Sequence, residues 1–65
     1  MIKPDLNSHR IVARMIYDTC SATTKNNIKR GDAEGVHDLN LVTEGYAREV
    51  RDQLIAIVRA EWSVL

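Results

Sequence analysis

Cysteine and proline each occur once, phenylalanine not at all, and only three of the 65 residues are aromatic. A single cysteine cannot cross-link a small secreted fold, and no Cys/His group has zinc-finger spacing. One proline and three glycines, set against 45% hydrophobic residues, exclude a disordered chain. Long apolar runs are missing as well. The longest, Leu54 to Val58, is far shorter than the roughly 20 residues a membrane helix requires. The opening Met1-Ile2-Lys3-Pro4-Asp5 has no apolar core that could serve as a signal peptide. Net charge is also absent, nine basic residues meeting nine acidic ones. These absences predict a small, soluble, cytoplasmic chain forming a single domain over residues 1–65, with no membrane segment.

What is present is helical periodicity. Val12, Ile16 and Cys20 recur at intervals of four, with Ala13, Met15 and Thr19 beside them, the spacing of one helix face. Asp5, Asn7 and Ser8 are N-cap candidates, Lys25, Lys29 and Arg30 suit the negative end of a helix, and Gly31 suits a left-handed cap. This predicts a helix from about residue 8 to about 30, weakest at Thr23 to Asn27, where Thr and Asn are poor helix formers. Leu39, Val42, Tyr46, Val50, Leu54 and Ile57 follow steps of three and four. They predict a second helix from about 39 to about 63, capped by Asp38 or Asn40 and supported by a Glu44–Arg48 pair. Residues 31–38 form the connection. The expected fold is all-α, an antiparallel two-helix hairpin.

One seam between two helices is a small core for 65 residues, and the second helix is apolar on more than one side. Ile55 and Trp62 fall about 120–140° from the Val50 stripe, with Val58 between. Ile55, Val58 and Trp62 are therefore the expected partner or dimer interface, and a homodimeric four-helix bundle is the expected assembly. The alternative is that Trp62 folds over the end of its own hairpin.

The sequence carries no catalytic residues, cofactor motif or metal-ligand set. Cys20 and His9 would lie three turns apart, roughly 16 Å along one helix, too far for a nucleophile–base pair. Cys20 reads as a small buried apolar residue, and His9 and His37 as solvated or capping residues. The acidic run Asp32-Ala33-Glu34-Gly35 fails the calcium-loop pattern, its glycine falling at the fourth position, and reads as helix-start and turn chemistry.

Charge is unevenly placed. Residues 1–30 carry six basic and two acidic groups, residues 31–38 three acidic, and residues 39–65 three basic and four acidic. Arg10, Arg14, Lys25 and Lys29 would share one face of a continuous first helix. That face could track a phosphate backbone or dock on an acidic protein.

The layout resembles that of small plasmid-encoded RNA-binding proteins of the Rop kind, also helical hairpins that pair into four-helix bundles. The resemblance implies a nucleic-acid partner. Short helical chains of this sort are also common among phage and plasmid accessory proteins. The leading expectation is a non-enzymatic interaction or regulatory module that self-associates and binds a protein partner. The alternative is a nucleic-acid-binding regulator using the basic face.

Overall fold

Ser21 decides the course of the first half of the chain. Its backbone is extended, at φ −71° and ψ 163°, and its hydroxyl accepts a hydrogen bond from the Thr24 N–H at 3.1 Å. That is N-cap chemistry, which satisfies one of the four free donors at a helix start. The expected helix over 8–30 is therefore two helices. In the computed structural model, which describes residues 6–63, α1 spans Leu6–Thr19 and α2 spans Ala22–Arg30. The break falls at Cys20 and Ser21, just before the stretch of weak helix formers. Asn7 and Ser8 lie inside α1, while Asp5 lies outside the described residues.

Gly31 closes α2 as the sequence suggests, in the left-handed region at φ 72°, its N–H donating to Asn27 O. The expected connection 31–38 is otherwise helical. Asp32 takes the N-cap position of α3, Ala33–Val42, its carboxylate accepting from the Gly35 N–H at 3.0 Å, and Glu34 sits in the positive first turn. Asp38 and Asn40 consequently lie within α3 and cap nothing at its start. Arg30 ties the turn together, bonding Asn27 Oδ1 at 2.8 Å and the Asp32 carboxylate at 3.0 Å.

The expected helix over 39–63 is also broken. Thr43, buried, turns its hydroxyl back to donate to Leu39 O at 2.7 Å, and Gly45 at φ 85° leaves the helical region. The last helix, α4, begins at Arg48 and runs to Glu61. Glu44 and Arg48 thus stand on opposite sides of a break rather than one turn apart. The step-of-four pattern through Val42, Tyr46 and Val50 crosses this loop by coincidence, and Tyr46 is 53% exposed.

The described residues hold four helices and no strand. They do not form a two-helix hairpin. α1 packs chiefly on α4, α2 on α3, and α2 also on α4. Arg14 bonds Glu61, Arg10 shares two clefts with Ile57, and Lys25 lies over both Tyr17 and Trp62. These pairings keep a nearly constant sequence offset, so α1 and α4 run in the same sense. The Rop-like layout of two long antiparallel helices is not the one adopted.

The core joins all four helices through Ala13, Ile16, Tyr17, Ile28, Leu39, Val50, Leu54, Ile57 and Val58, with Val12, Cys20, Val42, Ile55 and Trp62 packed around it. Leu54 and Val58 are wholly enclosed, each contributing about 1.5–3 kcal/mol by burial. Where α3 crosses α2 the helices approach so closely that a Cβ on Gly35 would lie 2.0 Å from Asn27 O. Asn27 Nδ2 donates to Asp38 Oδ2 at 2.8 Å beside that crossing.

Candidate interaction surfaces

The three residues expected at a partner interface have three different environments. Val58 has no exposed surface and is a core residue, presenting nothing to a partner. The i,i+3/i+4 arithmetic placed it between two faces, and both faces are covered because α2 as well as α1 packs on α4. Trp62, immediately after α4, folds onto α2. Its indole Nε1 donates to Asn26 Oδ1, and its backbone oxygen accepts from Lys29 Nζ. Ile55 is half-buried and lines a cleft between α4 and the α2–α3 turn.

The expected basic face does not form as a single stripe. The break at Ser21 puts Arg10 and Arg14 on one helix and Lys25 and Lys29 on another. Arg14 is held by Glu61, with Asp18 3.6 Å away and the Tyr17 ring 5.3 Å beneath it. The bond to Glu61 raises the Arg14 pKa and holds the Glu61 carboxyl below its ordinary value. Lys25 is sandwiched over Tyr17 at 4.2 Å and Trp62 at 5.0 Å, where its charge meets the negative ring faces. Lys29 donates to the Trp62 carbonyl, one residue past the C-terminal end of α4. Three of the four cations therefore fasten the molecule to itself.

Cys20 is half-buried against the core, and loss of hydration there pushes its thiol pKa up, so it is a poor thiolate. His37 is exposed. His9 is half-buried, with Nδ1 shielded from water and unpaired. Among the described residues no three His, Cys, Asp or Glu side chains come together in a way that could hold a metal, and no helix is long and apolar enough to cross a membrane.

Sequence reasoning passed over the most exposed apolar pair. Ile11 and Met15, one turn apart on α1, are each 63% exposed. They flank the Val12–Ile16 stripe, and only knowing which side of α1 meets α4 separates the two. Between α1 and α4 lie two clefts that share Arg10, Ile57 and Glu61: one is completed by Ile11 and Arg14, and the other is a groove completed by Gln53, Ala56 and Ala60. Small side chains in such a groove leave room for another helix to approach.

Comparison with protein-family models, with curated proteins and with solved structures finds no match to this chain.

Proposed function

We propose that the chain is a non-enzymatic helical interaction module that self-associates through the outer face of α1. The observation that carries this reading is the exposure of Ile11 and Met15 on α1, with Ile11 lining a cleft against Ile57 of α4. A second copy is the occupant the surface favours. Two α1 helices related by a two-fold axis set Ile11 of each copy against Met15 of the other, so one patch serves both sides. The alternative placements of charge are less apt, since that cleft is bordered by both signs, Arg10 and Arg14 with Glu61. The size of the core supports the same reading, because a 65-residue chain gains from burying further apolar surface against a copy of itself.

Sedimentation equilibrium tests this. The wild type is expected to dimerise at micromolar to tens-of-micromolar concentration. Ile11→Ser/Met15→Ser is expected to be monomeric with unchanged far-UV circular dichroism, because both side chains are exposed in the single chain. A wild type that remains monomeric at several hundred micromolar refutes self-association.

A further inference from the structure

The cleft that holds Ile55 has an unusual electrostatic composition. Its floor is aliphatic, made by Ile28, Val36, Leu39 and Ile55, and its polar side chains are Arg51 and Arg59 of α4. No acidic residue lines it. Neither arginine forms an ion pair or hydrogen bond among the described residues, in contrast to Arg14 and Arg30, which are both paired. Arg51 is the more telling of the two. Its Nε is shielded from water and has no partner. A shielded guanidinium N–H without an acceptor is costly, so an acceptor supplied from outside the chain would stabilise it. Val36, 42% exposed at the edge, extends the apolar floor outward.

We propose that this cleft binds an acidic amphipathic segment of a partner protein, with apolar side chains seated over Ile55 and Val36 and carboxylates meeting Arg51 and Arg59. The two arginines are eight positions apart on one helix, about 12 Å along its axis. Carboxylates seven positions apart on a bound helix span nearly the same distance and share a face, with apolar residues at the third and fourth positions between them. Guanidinium groups suit carboxylates because two parallel N–H groups can meet both oxygens. A nucleic acid is less well matched, since the cleft offers aliphatic side chains and no aromatic ring for base stacking. The cleft shares no residue with the α1 face, so the inference stands apart from self-association.

The probe is a fluorescein-labelled helical peptide with Glu at two positions seven apart and Leu at the third and fourth positions between, titrated with the full chain in fluorescence anisotropy. Binding is expected, weakening with added salt and by at least tenfold in Arg51→Gln/Arg59→Gln. Arg51→Gln is expected to melt at or above the wild-type temperature, because it removes a shielded N–H that has no acceptor. A lower melting temperature would show that Arg51 holds the fold together and would overturn its assignment to binding. Arg59→Gln, at an exposed position, keeps the binding question measurable in either case and is expected to weaken the peptide several-fold. The proposal is overturned by unchanged affinity in both variants, by equal binding of the same peptide with Lys in place of Glu, or by arginine-dependent binding of an RNA hairpin stronger than that of the peptide. Full displacement of the peptide by inorganic phosphate at matched ionic strength would also overturn it, leaving a simple anion site.

Discussion

Gly35→Ala is the substitution for which helix propensity and packing predict opposite signs. Alanine is favoured over glycine by roughly 1 kcal/mol inside a helix, so propensity alone stabilises the variant. Gly35 is buried within α3, and its backbone rests on α2. An added Cβ would lie 2.0 Å from Asn27 O, 2.7 Å from Asn27 C and 3.3 Å from Ile28 Cα. All three are backbone atoms, so no side chain can rotate aside. Restoring ordinary contact requires α2 and α3 to separate by more than an ångström, which stretches the Asn27–Asp38 hydrogen bond at the same crossing. Overpacking of this kind costs about 1–3 kcal/mol, occasionally more, and we expect the clash to outweigh the propensity gain. A chain of 65 residues has an unfolding entropy of roughly 140 cal/mol/K near its midpoint, so each kcal/mol moves the melting temperature by about 7 °C. The difference, a net loss of up to about 2 kcal/mol, therefore lowers it by as much as about 15 °C. Thermal melting followed by circular dichroism at 222 nm reads this directly. A variant that melts several degrees above the wild type would refute the close crossing of α2 and α3.

Two further substitutions probe how the ends are held. Trp62→Ala removes a half-buried indole, its bond to Asn26 and one face of the Lys25 sandwich. It is expected to cost about 2–3 kcal/mol in a urea titration, near the lower end for a large aromatic; a loss below about 0.5 kcal/mol would show that Trp62 does not dock on α2. Asp32 and Glu61 titrate below their ordinary values, the first chiefly through the Gly35 N–H and the second chiefly through Arg14. Depressed folded-state values mean that their contribution is fully present above the unfolded values, about pH 4, and is lost as the pH falls through the folded ones. Stability from these groups is expected to be flat between pH 7 and 5 and to fall below about pH 4, more shallowly in Asp32→Asn/Glu61→Gln. An identical acid slope in the double variant would contradict the assignment.

Helix content and most of the core were legible from apolar spacing. Ile16, Leu39, Val50, Leu54 and Ile57 were read as facing inward and are buried. The path of the chain is not legible, for two physical reasons. A helix break needs only one residue to leave the helical region: Ser21 does so directly after the last apolar position of the first pattern, and Gly45 inside a pattern that continues past it. Ser21 followed by Thr24 is a weak cap signal, because the third position lacks the Glu or Gln of a capping box. Asp32 and Glu34 read correctly as helix-start chemistry, yet the pattern puts the start at Asp38 or Asn40, because apolar spacing counts a helix only from its first large side chain. Gly35 hides its role entirely, since a glycine that permits a close crossing is identical in sequence to one that loosens a turn. The basic residues were misplaced for a related reason. Arg14, Lys25 and Lys29 look like an outer stripe until the acid or aromatic each one meets comes from a distant segment, as Glu61 and Trp62 do.

The four helices have 14, 9, 10 and 14 residues. Isolated helices of that length are marginal in water, because the first turn orders three residues for a single hydrogen bond. None of the four is expected to persist alone, and the core they share, from Ala13 to Val58, draws on all four helices. A chain of this size is expected to unfold in one cooperative transition, with helix ends opening more readily than the shared core. Hydrogen exchange would show nearly uniform protection across the inner turns of all four helices, set by one opening reaction. A partner that binds only the cleft beside Ile55 would then slow exchange as far away as Ala13 and Ile16, because it stabilises the single cooperative unit to which they belong.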